Sequence, residues 1–148
     1  MIDEPRLQRQ LELFATRVLE DLDYVGVVGF EFFETEEGLL ANEVAPRVHN
    51  TGHWTIEGAA TSQFENHLRA ILGLPLGTVR TLGHVACINY LGAVPSMEAA
   101  LGIVGAHHHD YGKSPKPGRK LGHMTLVCET HDELMRALAE ARELVERL

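Results

Sequence analysis

Apolar residues recur at Leu7, Leu11, Phe14, Val18 and Leu22, the spacing of one helical face. Asp3 and Pro5 precede that face, and proline is tolerated in a first helical turn, so a helix is predicted to open there. The pattern then changes period. Residues 24–34 read YVGVVGFEFFE, a β-branched and aromatic run that predicts a strand, and residues 39–46 predict a second. Between them, Thr35-Glu36-Glu37-Gly38 reads as a tight hairpin.

The register of that hairpin decides what two acids do. A two-residue turn at Glu36-Glu37 would lack the positive-φ residues such turns prefer. A three-residue loop from Glu36 to Gly38 puts glycine at the left-handed position instead. It pairs Thr35 with Leu39 and Glu31 with Glu43, setting two carboxylates on one face with Cβ atoms about 5 Å apart. Like charges so placed weaken a hairpin, and a divalent cation between them would turn the penalty into a site. The plainer alternative is a pair of solvated acids on an edge strand. Phe30, Phe32, Val44 and Ala45 beside them argue for a partly covered sheet.

The segment that follows, NEVAPRVHNTGHWTIEGAATSQFENHLR at residues 42–69, is dense in groups that bind anions and cations. Residues 47–57 read as a loop. Ser62 and Glu65 then form a capping box for a helix carrying Phe64, Leu68, Ile71 and Leu72. Gly73 ends that helix and Pro75 prevents its continuation. The break at residues 73–77 divides the chain into segments 1–76 and 77–148. Beyond it, short strands are predicted at 85–91, 103–111 and 121–129, with a short helix at 95–101. Thr130 and Glu133 cap a closing helix lined by Leu134, Leu138, Ala141, Val145 and Leu148. The expected class is α+β, with a small β-rich second domain closed by a helix.

Composition narrows the function classes. A chain of 148 residues with 45% hydrophobic and 23% charged positions suits one globular domain or two small ones. The net charge of −8 argues against nucleic-acid binding through bulk electrostatics. An anionic ligand would need local positive charge, and two clusters offer it: Arg47 with His49 and His53, and the basic stretch 113–120. That stretch is a proline-stiffened turn, either a solvated loop or a phosphate clamp with a point charge at Lys113 and a planar fork at Arg119. Cys87 and Cys128 lack metal-type spacing and read as buried reduced thiols. No apolar run approaches the ~20 residues of a membrane span, and the acidic, polar start is unlike a signal peptide. A cytoplasmic protein is expected.

Three further signals carry less. The triplet His107-His108-His109 alternates faces in a strand, so it reads as a strand end with exposed imidazoles rather than a metal site. Trp54 reads as a packing anchor. No GxxxxGK[ST], GxGxxG or GxSxG sequence is present.

Several of these residues together carry a resemblance. Glu31 and Asn42-Glu43, then APRVHNTGHWT at 45–55 and TSQFENHLRAILGLPLG at 61–77, resemble the ATP-grasp enzymes of the 5-(carboxyamino)imidazole ribonucleotide synthase family. The likeness continues through His109-Asp-Tyr-Gly-Lys113 and Pro117-Gly-Arg-Lys-Leu-Gly-His123. It implies the distal half of an ATP-grasp domain followed by a small C-terminal domain. It also implies ATP-dependent carboxylation of 5-aminoimidazole ribonucleotide by bicarbonate, in purine biosynthesis. Magnesium would be held at Glu31 and Glu43, with Asn42 and Glu43 in the shell that binds the nucleotide. Arg47 and His49 would be catalytic and face the ribonucleotide and bicarbonate, and Lys113 and Arg119 would grip the ribonucleotide phosphate. The family enzyme is longer and its N-terminal half supplies the remaining nucleotide contacts, so this chain by itself is expected to be inactive without such a partner half. A second copy, as a homodimer, is a further candidate partner. The alternatives are a non-catalytic module that binds a nucleotide phosphate, and another ATP-grasp carboxylase or transformylase.

Overall fold

A computed structural model describes residues 5–36 and 38–148. It divides into two compact units, Met1–His49 with Asn66–Leu76, and Asn50–Glu65 with Gly77–Leu148.

The first unit begins with α1 (Pro5–Asp21), which opens on the proline. The expected start at Asp3 lies outside the described residues. None of the α1 residues is buried. Phe14 nevertheless packs edge-on against Phe30 and Phe32, with ring centroids 5.9 and 5.1 Å away. The helix is followed by Asp23 in the left-handed region, with φ of 47°.

The strand predicted from residue 24 begins five residues later. β1 is Gly29–Thr35 and β2 is Gly38–Ala45. Local bonds explain the delay. Tyr24 Oη donates to the Val27 carbonyl (3.0 Å), and the Val27 N–H donates to His67 Nδ1 (3.0 Å). Gly26, at φ of 139°, sits so close to the His67 ring that a Cβ there would lie 2.9 Å from it. These partners occupy backbone groups that a strand ladder would need.

The hairpin differs from expectation at the turn. Thr35 pairs with Gly38, not Leu39, and its Oγ1 donates to the Gly38 carbonyl at 2.8 Å. The expected loop includes Glu37, which lies outside the described residues. Continued unchanged, that register would set Glu31 opposite Asn42 and put Glu43 on the other face. A β-bulge intervenes. Phe32 pairs with Ala41 and Glu31 with Glu43, leaving Asn42 as the extra residue.

The second unit holds a three-stranded antiparallel sheet in the order β3-β5-β4. Its strands are β3 (His84–Leu91), β4 (Ala106–Asp110) and the central β5 (Lys120–Cys128). The linking helices are α2 (Thr55–Gly58) and α4 (Met97–Leu101), with α5 (His131–Glu146) closing the chain. β4 starts at Ala106 rather than 103 because Gly105, at φ of 71°, turns the chain against the Val127 carbonyl. The predicted capping box is present, with the Thr130 and Glu133 side chains bonding each other's backbone N–H.

Side-chain alternation gives β5 two unlike faces. Met124, Leu126 and Cys128 join Tyr90, Leu134, Ala137 and Ala141 in the hydrophobic core. Leu121, His123 and Thr125 point the other way and are also fully buried. Residues 50–65 group with this unit, whereas the break in the sequence assigned them to the first segment. Two hydrogen bonds account for part of this: Ala60 N–H to the Arg80 carbonyl and Leu82 N–H to the Gly58 carbonyl. Asn50 and Asn89 also exchange side-chain amide bonds at 2.7 and 3.2 Å. α3 (Gln63–Ile71) starts in the second unit and ends in the first. Ser62 Oγ accepts from the Glu65 N–H at its start, and Gly73 at φ of 66° ends it.

Candidate functional site

In the first unit, the bulge gathers polar groups around the paired acids. Asn42 Nδ2 donates to Glu31 Oε2 at 3.0 Å. His49 Nε2 lies 3.5 Å from Glu31 Oε1, and Arg47 lies 3.6 Å from Glu43 Oε1. His49 reaches this position because Gly29 makes room. A Cβ on Gly29 would fall 2.6 Å from the imidazole Cγ. The ring is buried while Glu31 is half-buried and Glu43 is exposed. Side-chain ligand atoms of Glu31, Glu43 and His49 all lie within 4.8 Å of one another.

That spacing fits a divalent cation. Carboxylate oxygens bind hard cations at roughly 2.0–2.6 Å, so ligands on opposite sides of one ion stand about 4–5 Å apart. Two carboxylates supply charge for such an ion, and an imidazole adds a neutral donor. The structure therefore brings Glu31, Asn42, Glu43, Arg47 and His49 into one neighbourhood.

Lys113 and Arg119 belong to the second unit. Gly118, at φ of 70°, and the Arg119 N–H bond to the Lys116 carbonyl shape their turn. Arg119 Nη1 donates to the Ser114 carbonyl at 3.2 Å, and Lys113 Nζ sits 4.9 Å from the Tyr111 ring centroid. Both residues are exposed.

The histidine triplet departs from expectation. His107 is exposed, but His108 Nδ1 bonds Tyr90 Oη at 2.9 Å and His109 Nε2 bonds Glu57 Oε1 at 2.7 Å. The residues lie within β4, paired along β5, and not at a frayed end. His109 stacks on His123 at 4.3 Å with planes 11° apart, and His123 Nδ1 bonds Tyr111 Oη at 2.8 Å. His53 approaches His123 at 5.2 Å and shares a 2.8 Å bond with Gln63. Burial, above all, and then the neighbouring His109, His53 and His108 lower the His123 pKa to about 4. Burial raises that of Tyr111. Sequence reasoning missed this cluster, since Glu57 and His109 are 52 residues apart. Its one signal was histidine at 109 and 123 in two strand-like runs. No helix among the described residues is long and apolar enough to cross a membrane.

Residues 2–64 match the ATP-grasp domain family, and residues 85–137 match the phosphoribosylaminoimidazole carboxylase C-terminal domain family. The chain is 54% identical over 140 residues to N5-carboxyaminoimidazole ribonucleotide synthase of Pseudomonas aeruginosa, covering 95% of this chain and 39% of that protein. The crystal structure of the Thermus thermophilus synthetase superposes with a TM-score of 0.88 at 53% identity, over 98% of this chain and 40% of that one. The Aspergillus clavatus synthase in complex with ADP and 5-aminoimidazole ribonucleotide gives a TM-score of 0.82 at 35% identity, over 98% and 42%. The chain spans about two fifths of the length of the curated relatives it matches. On this evidence the chain belongs to the N5-carboxyaminoimidazole ribonucleotide synthase family and corresponds to the C-terminal portion of its members.

Proposed function

We propose that this chain serves the ATP-dependent carboxylation of 5-aminoimidazole ribonucleotide by bicarbonate, with Glu31 and Glu43 holding the magnesium of the nucleotide. The observation that carries the reading is the bulged hairpin, which spends a residue to put two carboxylates and an imidazole within 4.8 Å of one another. Magnesium, when bound, supplies charge neutralisation for the ATP phosphates. The chain's own residues position and orient. Asn42 fixes one Glu31 oxygen through its amide, leaving the other directed toward His49. In this reading Asn42 and Glu43 also border the nucleotide. Arg47 and His49 bind bicarbonate and the reacting end of the ribonucleotide, where a guanidinium and an imidazole can hold developing negative charge. Lys113 and Arg119 bind the ribonucleotide phosphate, one as a point charge and the other as a fork.

The partner in this reading is the N-terminal portion that the longer relatives carry, and the setting is the cytoplasm. Exposed apolar residues of the first unit, Leu13, Phe33, Leu40 and Val44 among them, support such a partner surface. The test is Glu31→Gln and Glu43→Gln in the intact enzyme, followed by ADP release that depends on both bicarbonate and the ribonucleotide. Each variant is expected to lower kcat by about 100-fold or more, the size of loss seen when one stabilising group is removed. Near-normal kcat in both variants would remove the metal-holding role.

A further inference from the structure

Lys113 is an exposed lysine on a turn, and an exposed lysine ordinarily samples many rotamers. Here its ammonium sits 4.9 Å from the centroid of the Tyr111 ring. Two features bring it there. The Tyr111 N–H donates to the Leu121 carbonyl at 2.9 Å, which fixes the backbone at the end of β4. Gly112 then adopts φ of 64°, and its N–H bonds Asp110 Oδ1 at 2.8 Å, so the chain turns sharply before Lys113.

The ring itself is anchored from below. Its hydroxyl bonds His123 Nδ1 at 2.8 Å, and the edge of His53 meets it at 6.3 Å and 89°. His123 is 1% exposed and stacks on His109, whose Nε2 bonds Glu57. His123 is held mostly neutral by its burial, which spares Lys113 a buried positive charge beneath its platform. A rigid aromatic face under a flexible ammonium acts by cation–π attraction.

We propose that Tyr111 is the positioning residue for Lys113, its ring presenting the ammonium to an anionic group while buried His123, stacked on the Glu57-bonded His109, keeps the ring in place. The proposal rests on the reading that Lys113 contacts the ribonucleotide phosphate. It adds that Tyr111 acts through Lys113 and touches no substrate itself.

A double-mutant cycle in the intact enzyme tests it, read as KM for aminoimidazole ribonucleotide and KM for ATP. Lys113→Ala is expected to raise the ribonucleotide KM about 10-fold or more and leave the ATP KM unchanged. Tyr111→Leu is expected to raise the ribonucleotide KM about 3- to 5-fold, with kcat little changed. Tyr111→Phe keeps the ring but loses the hydroxyl bond to His123, so it should recover only part of that loss. In the Lys113→Ala background, Tyr111→Leu should add less than about 2-fold, since the residues act as one unit. Full multiplication of the two effects would overturn the positioning role while leaving the Lys113 contact intact. An unchanged ribonucleotide KM in Lys113→Ala would sink the contact and the positioning role together. A structural check uses the 148-residue chain itself. The Lys113 ε-methylene protons should resonate upfield of a solvated lysine in the parent, by a smaller amount in Tyr111→Phe, and not at all in Tyr111→Leu. A solvated shift in the parent chain would also overturn the proposal.

Discussion

The two units differ in how completely they are packed. The second unit builds a closed core on β5, whose residues 121–126 are all buried, and takes His123 and Thr125 inside with it. The first unit has no buried residue in α1 and leaves Phe33 at 56% and Leu40 at 59% exposure. Its order comes from local devices: the Phe14–Phe30–Phe32 ring cluster, the His67 bond to Val27, and a bulge. The lesson is that the candidate metal-binding groups sit where geometry is set by hydrogen bonds and register, not by a packed core. Such a site keeps its charged groups solvated and able to take an ion, which full burial would make costly.

The sharpest break of this comparison is in the core. Leu126→Ala removes a fully buried side chain and is expected to cost about 2–5 kcal/mol. Phe14→Ala, at a ring 39% exposed, should cost only about 1–2 kcal/mol. Urea unfolding followed by circular dichroism, together with Trp54 fluorescence for the second unit, measures both. Equal costs would mean that the two units share one stability determinant.

Acid should act next most strongly, and through the second unit. The His123 pKa is about 4 in the fold against 6.5 for an ordinary histidine, so the unfolded chain binds more protons between those values. Stability from this residue is full above about pH 6.5, falls as the pH drops, and is gone by about pH 4. The loss is on the order of 3 kcal/mol. His123→Phe keeps a ring on His109 and cannot protonate, so its stability should vary less over that range. An identical pH profile for the two proteins would rule out His123 as the titrating group.

The smallest effect belongs to the hairpin. Asn42→Ala deletes the 3.0 Å bond to Glu31 and should weaken β1 and β2 by about 0.5–1.5 kcal/mol. Hydrogen exchange of the β1 amides should quicken accordingly, with the β5 amides unaffected. Quickening in both strands would show that the hairpin is not an independent element.

Local signals in the sequence were legible because they are local. The helix at Pro5, the capping box at Thr130 and the helix stop at Gly73 each depend on residues within a turn of one another. The Glu31–Glu43 pairing was anticipated, yet through a different turn. Turn preference puts the extra residue in the loop, and the structure places it at Asn42. Both arrangements restore the same pairing, so hydrophobic alternation alone does not separate them. The imidazole cluster was not legible, because it depends on β4 and β5 pairing and on Glu57 reaching His109 across 52 positions. Nor was the grouping of residues 50–65 with the second unit, which rests on bonds such as Asn50 to Asn89.

The central claim, that Glu31 and Glu43 hold one cation beside the His49 ring, is open to a direct measurement. Substoichiometric Mn²⁺ broadens proton signals near a bound ion, so the imidazole resonances of the histidines report where it sits. The expected result is selective broadening of His49 that disappears in the Glu31→Gln, Glu43→Gln double variant, while exposed His131 is unaffected in either protein. Broadening of His49 no greater than that of His131, or broadening that survives in the double variant, would contradict it.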